Sequence, residues 1–526
     1  MWRCTRPLFA VYATGCFAPG MTTESTGHSA GPPTAGRREW TALAVLMLPL
    51  LLVSMDVSIL YFAIPSISQD LEPSATQQLW ILDMYGFVLA GLLITMGALG
   101  DRVGRRRMVL GGAALFGAAS VVAAYAHSAE MLIAVRALLG VGGAALMPST
   151  LAIIRNLFLD EKQRGRAIAL WTGVMTTGIS LGPVVSGLLL AHFWWGSVFL
   201  VNLPAMALLL ILGPLLLPEF RAPVRGTFDL FSAALSLATL LPVIYGIKEL
   251  AAHGYAPLPA LSVTAGLAVG VVFVLRQQRV EHPMIDLSLL RHRAFGGSLL
   301  ANLLAMFATV GFAVFLSQYL QSVLGMSALR AALWSLAPMA GVAVLAPTAA
   351  LAAKRFDRAY VMGAGFAVSA CGFLWLSRVH SGSALWVTVA GAAVYAGGLV
   401  AAMTLANELA LGAAPPERAG SAAAVLESGQ ELGGALGMAI LGSVGAAVYR
   451  ADMAGAPDAV RETLGGATAV AHGELLASAH HAFVHALDCA AIGAAVAMAG
   501  AAVLSVVLLR GTSPAAVRTT EPALLV

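Results

Sequence analysis

Residues 77–108 read QQLWILDMYGFVLAGLLITMGALGDRVGRRRM. The run from Leu79 to Leu99 is apolar, has about the length a helix needs to cross a bilayer, and holds a single acid, Asp83. It ends in a compact charged turn, Asp101-Arg102-Val103-Gly104-Arg105-Arg106-Arg107, and a second apolar run starts at once. The pattern is a membrane hairpin with a basic tip, and the excess of arginine predicts that the tip faces the cytoplasm. Gly97, Gly100 and Gly104 keep the turn slim, so that helices can pack closely or slide past it.

The rest of the chain has the same character. Of 526 residues, 59% are hydrophobic and only 11% are charged, and the mean hydropathy is +0.84. The apolar residues come in runs of about twenty, which excludes an ordinary soluble core and predicts a polytopic, all-α membrane protein. Without water to satisfy the backbone, a bilayer admits helices or closed barrels, and runs of this length select helices. The net charge of +4 reflects cytoplasmic arginine and gives no reason to expect a nucleic-acid partner. Cys4, Cys16, Cys371 and Cys489 have no paired spacing, so neither a disulfide framework nor a metal site is expected.

Fourteen apolar runs can be counted, at about 41–64, 78–99, 108–126, 130–152, 167–190, 197–217, 229–247, 258–275, 296–320, 330–352, 360–377, 384–411, 421–448 and 482–509. Basic residues test this topology. With the N-terminus inside, the outer side receives only Lys248, Arg330, Arg378, Arg450 and Arg461, while the inner side takes nearly all the other basic residues. That bias predicts both ends in the cytoplasm. The domain plan is a polar tail at 1–39, a six-helix bundle at 40–217, two additional helices at 229–275, an amphipathic cytoplasmic linker at 276–295, a second six-helix bundle at 296–509 with an outer loop at 450–480, and a tail at 510–526. The first twenty residues read as an over-long start, with Met21 the expected true one.

The hairpin tip, Gly97-Ala-Leu-Gly-Asp101-Arg102-Val-Gly104-Arg105-Arg106-Arg107, resembles the loop between helices 2 and 3 of the major facilitator superfamily. Helix 1 carries Met55-Asp56-Val57-Ser58-Ile59-Leu60-Tyr61-Phe62-Ala63-Ile64-Pro65, similar to the pattern of the fourteen-helix drug:proton antiporters, with Tyr61 where that pattern has Asn. Helix 4 carries Arg136-Ala-Leu-Leu139-Gly140, and helix 5 places Gly173, Gly178, Gly182-Pro183 and Gly187 in a run resembling the antiporter signature, with Ser186 in place of one glycine. Lys354-Arg355-Phe356-Asp357-Arg358 is a degraded echo of the Asp101 loop, as an internal repeat would leave. The helix 13 stretch and LWILDMYGFVLAG most resemble the quaternary-ammonium exporters of the QacA type. The resemblance covers about residues 40–510 and implies the major facilitator fold, two six-helix bundles plus two extra helices.

Intramembrane charges are rare and mark function. Arg136 matches Asp56 in depth, and the two are expected to pair. The pair is assigned to protonation-linked switching, against the alternative of a fixed ion pair joining two helices. Glu427 and Glu431 lie four residues apart on one helix face. With Asp83 they are the expected cavity acids, beside Tyr61 and Tyr85 as further substrate contacts. Gly97, Asp101, Arg102, Gly104, Arg105 and Arg106 form the expected conformational gate. His480, His481 and His485 have a ligand-like spacing but read as solvated interfacial residues, so no metal and no cofactor is expected. No GxxxxGK[ST] occurs, so the chain has no P-loop of its own for ATP.

The function these readings imply is proton-coupled efflux of lipophilic organic cations, drugs or antiseptics across a bacterial cytoplasmic membrane, by a monomer. The runner-up is export of a self-made antibiotic or other secondary metabolite, suggested by Arg-over-Lys, Ala/Gly-rich usage. A membrane-embedded enzyme is a remote third, without HExxH or a paired metal-binding carboxylate motif in the loops.

Overall fold

The computed structural model describes residues 35–220, 230–280, 287–413 and 419–511. Most of both tails, the centre of the amphipathic linker and the loop 414–418 lie outside these residues. The helices are α1 (Arg37–Leu71), α2 (Ala75–Val103), α3 (Arg105–Ala124), α4 (Ala129–Leu157), α5 (Glu161–His192), α6 (Ser197–Leu200), α7 (Asn202–Leu216), α8 (Leu230–His253), α9 (Pro257–Gln277), α10 (Leu287–Arg291), α11 (Arg293–Gln318), α12 (Ala328–Trp334), α13 (Met339–Ala352), α14 (Arg358–Leu376), α15 (Leu385–Ala413), α16 (Ala419–Asp452), α17 (Asp458–Glu462), α18 (Leu464–Val470) and α19 (Glu474–Leu509), with a π-helical turn at Tyr319–Val323. Among the described residues, thirteen helical segments are long and apolar enough to cross a membrane. The 24-residue α8 stands where the remaining expected span falls.

Packing divides these helices into two groups. In the first, α1 lies on α5 and α7, α2 on α4, and α3 on α4 and α7; in the second, α11 lies on α16 and α19, and α14 on α15 and α19. The groups meet along α2 and α16, and along α5 and α12. The pair α8–α9 packs on itself, and α8 reaches both α2 and α16, so it covers the seam between the groups. Along α9, Leu261, Leu267, Val271 and Val272 face outward, as a lipid-facing helix requires.

Local chemistry sets the breaks. The span expected at 330–352 is two helices, because Pro338 has no N–H to continue the ladder; Ala337 and Met339 donate instead to Trp334 and Leu336 at 3.1 and 2.9 Å. The outer loop expected at 450–480 holds two short helices, α17 and α18, tied to α16 by the Tyr449 hydroxyl, which donates to Val460 O at 3.0 Å. Gly104, at φ +115°, makes the turn between α2 and α3, and a Cβ there would collide with the Glu219 carboxylate.

Lys248 requires a correction. Hydropathy ended its span at 247 and put Lys248 in an outer loop. The helix in fact runs on to His253, and Lys248 is fully buried.

Candidate transport site

The interior charge begins with α1 and α5. A Cβ at Gly178 would fall on Leu51 O and Ser54, and one at Gly182 on Met55 O and Ile59 N, so these glycines let α5 lie directly against the turns flanking Asp56. Ser58 Oγ donates to Ile179 O at 2.8 Å across the same contact. Gly187 has a different neighbour, the backbone of Ala328 and Leu329 on α12. The small residues of α5 thus serve both groups of helices, and Pro183 lies half-buried between the two contacts.

Asp56 and Arg136 form an ion pair, as their depth predicted, and both are almost wholly buried. Arg136 makes further contacts. Its Nε donates to Ile81 O at 3.0 Å and one Nη to Leu82 O at 3.5 Å, and its guanidinium carbon lies 4.8 Å from the centre of the Tyr85 ring. The fork of N–H donors is therefore spread over a carboxylate, two carbonyls and an aromatic face.

The cavity acids separate into two environments. Glu427 and Glu431 on α16 are half-buried, interact with each other, and have no ion-pair partner among the described residues. Glu431 lies within electrostatic reach of Tyr61 and Tyr85. Asp83 does not join them in a shared group. Its Oδ2 lies 2.7 Å from Lys248 Nζ, with both side chains fully buried, on the face of α2 that α8 covers. Lys248 is the functional candidate the sequence reading missed; its mark was a lysine at the end of an apolar run, facing no motif.

The expected gate loop is strapped to its own bundle. Asp101 pairs with Arg105 at 2.5 Å. Arg105 N donates to Phe220 O at 3.0 Å, and Arg106 N to Glu219 Oε1 at 3.1 Å. Arg106 and Arg107 both lie 3.8 Å from Glu219 Oε2. Glu219 is a second omission, since no motif includes it. The echo loop behaves in parallel: Asp357 caps α14 by accepting from Ala359 N at 3.0 Å and accepts from Gly511 N at 3.1 Å, while Arg358 pairs with Glu408 at 3.8 Å. At the other end, His485 pairs with Asp452 at 2.7 Å, and no group among the described residues has metal-binding composition.

The two groups touch at several points along their length. At the end opposite Gly104, Ser317 Oγ donates to Tyr61 O at 2.8 Å, Ala75 N to Glu462 Oε2 at 3.4 Å, and Gly465 lies against Ser68. Nearer Gly104, Ile94 of α2 packs on the core cluster that includes Val425 and Leu426 of α16.

Two helical groups that meet around buried charged residues are the architecture of a secondary transporter. The model of the Major Facilitator Superfamily matches residues 46–443. The chain is 44% identical to the multidrug efflux pump LfrA of Mycolicibacterium smegmatis, over 93% of this chain and 99% of that protein. It is 35% identical to the methyl viologen resistance protein SmvA of Salmonella typhimurium, over 77% and 82%. It is 34% identical to the puromycin resistance protein pur8 of Streptomyces alboniger, over 85% and 91%. Among solved structures, a bacterial homologue of the human lysosomal transporter Spinster, inward-facing and unoccupied, covers 90% of this chain at a TM-score of 0.66 and 16% identity, with 98% of its own length matched; this shows the fold alone. The chain belongs to the major facilitator superfamily, and within it to the multidrug efflux transporters related to LfrA and SmvA. The membrane-enzyme alternative falls with that membership.

Proposed function

We propose that the chain is a proton-coupled antiporter that exports lipophilic organic cations, working as a monomer in the bacterial cytoplasmic membrane with both termini inside. The observation that carries this reading is the pairing pattern of the interior acids. Asp56 is neutralised by Arg136, while Glu427 and Glu431 have no ion-pair partner among the described residues. An unpaired carboxylate away from water is costly, so these glutamates hold a proton or meet a cation. Arrival of a cation favours the ionised form and releases the proton, and this reciprocal linkage is the basis of exchange.

The bundles at 40–217 and 296–509 are the two bodies that rock. With the Gly104 loop in the cytoplasm, the transporter takes up cargo in an inward-facing state and releases it in an outward-facing one. Asp101, now held within its own loop, pairs across the inner gate in the other state, together with Gly97, Arg102, Gly104, Arg105 and Arg106. A second reading, export of an endogenous antibiotic, draws support from the kinship with the puromycin resistance protein; it differs in cargo and not in machinery.

Proteoliposomes carrying the purified protein test the proposal. An imposed pH gradient should drive uptake of ethidium and methyl viologen into vesicles acidic inside, and each cation should release protons when added. Cation movement indifferent to the pH gradient would refute the coupling.

A further inference from the structure

The helix α8 has no motif, yet it delivers a charge to the protein interior. The face of α2 beneath it carries Trp80, Asp83 and Phe87 at helical spacing. Lys248 Nζ lies 2.7 Å from Asp83 Oδ2 and 4.0 Å from the centre of the Trp80 ring. Trp80 belongs to an apolar cluster with Phe87 from α2, Leu240, Leu241 and Ile244 from α8, and Leu436 from α16.

A buried ion pair kept for stability alone gains from saturating its remaining donors and lone pairs. This one is not saturated. Beyond the 2.7 Å contact, neither the ammonium nor Asp83 Oδ1 has a hydrogen-bond partner among the described residues. Among the described residues, Lys248 Nζ meets one carboxylate and one aromatic face, and that ring lies in an apolar cluster. That is the chemistry by which an organic cation is recognised.

We infer that Asp83 and Trp80 form a cation subsite at the seam between α2 and α16, that Lys248 is its resident cation, and that cationic cargo reaches Asp83 only by displacing the Lys248 ammonium. The inference rests on the cation-export reading. Lysine suits this role because it is a single point charge on a flexible stem, able to withdraw without dismantling a fork of hydrogen bonds. Trp80 is only half-buried, so its ring reaches the edge of the seam. A tethered competitor acts at high effective concentration, so weakly held solutes do not displace it, and Lys248 raises the threshold for cargo. Because α8 touches both α2 and α16, rocking of the bundles moves the lysine relative to its carboxylate.

Equilibrium binding of tetraphenylphosphonium to the purified full-length protein, measured by calorimetry, tests this. Lys248→Met keeps the apolar stem and removes the competitor, so it should bind about tenfold tighter, a change of about 1.4 kcal/mol. The gain should vanish in Lys248→Met/Asp83→Asn. A folded Lys248→Met that binds no tighter than wild type overturns the inference, as does a gain that survives Asp83→Asn. Should Lys248→Met fail to fold, Lys248→Arg decides: arginine grips a carboxylate with two donors, so binding should weaken several-fold, and unchanged binding overturns the inference. A wild-type protein that binds and moves no organic cation removes the export reading and the inference together, a result distinct from normal wild-type binding with an unresponsive Lys248→Met.

Discussion

Two buried ion pairs grip the same turn of α2 from different sides. Arg136, from α4, takes the carbonyls of Ile81 and Leu82 and the carboxylate of Asp56. Lys248, from α8, takes the carboxylate of Asp83 and the ring of Trp80. The first pair is cross-braced inside one bundle by a rigid fork with many acceptors. The second joins a bundle to an added helix through one point contact. The contrast teaches that burial alone does not define a role. An arginine spread over a carboxylate, two carbonyls and a ring is positioned to hold geometry, and a lysine held by one point contact is positioned to exchange its partner.

Removing Arg136 gives the most severe break in this contrast. Arg136→Leu leaves Asp56 buried without a cation, which costs about 3–5 kcal/mol, so both folded yield after detergent extraction and efflux should collapse. Near-normal yield on size-exclusion chromatography would show that Asp56 is not dependent on Arg136.

Asp56→Asn comes next. It leaves Arg136 with its two carbonyl acceptors and the amide oxygen, so the protein should fold yet lose proton-driven export of every substrate in everted vesicles. Export of even one substrate at the wild-type rate would return the pair to a purely structural role.

Neutralising both members sharpens the contrast further. Asp83→Leu/Lys248→Met replaces an unsaturated pair by packed apolar groups and should leave the melting temperature within a few degrees of wild type, because such replacements are commonly neutral or stabilising. Asp56→Leu/Arg136→Met strands the Ile81 and Leu82 contacts and should melt well below it. Equal melting of the two double variants would erase the distinction.

The smallest expected effect lies outside both pairs. Glu431→Gln should weaken export of a dication such as methyl viologen by about tenfold, with ethidium affected less, because a dication gains most from a second carboxylate. Glu427→Gln should do less than Glu431→Gln. Equal loss for mono- and dications in Glu431→Gln would leave the carboxyl pair without a role in charge selection.

Much of this was legible in the sequence, for identifiable reasons. Long apolar runs and asymmetric arginines fix a helical membrane protein, and the Asp101 loop and the glycines of α5 carry motif-level information. The Asp56–Arg136 pair could be read because both charges lie deep in adjacent, well-marked spans. The Asp83–Lys248 pair could not, because hydropathy treats a lysine at the end of an apolar run as a boundary, and nothing in a linear pattern says which face of α2 an inserted helix will cover. Glu219 escaped for a related reason: its partners are fixed by how the chain leaves α7, which has no repeating signal. The break at Pro338 was marked by its own proline, but the length of the apolar run outweighed it.

The straps on the two hinge loops have a mechanical consequence. Arg105 is fastened to Phe220, past the last helix of the first bundle, and Asp357 to Gly511, past the last helix of the second. Each bundle is thus a ring buckled near its own tail, and a ring without slack delivers torque from one face of the membrane to the other with little lost to internal flexing. The buckles differ in composition. The first adds Glu219 with two arginines, while the second, among the described residues, ties the tail through the Gly511 N–H.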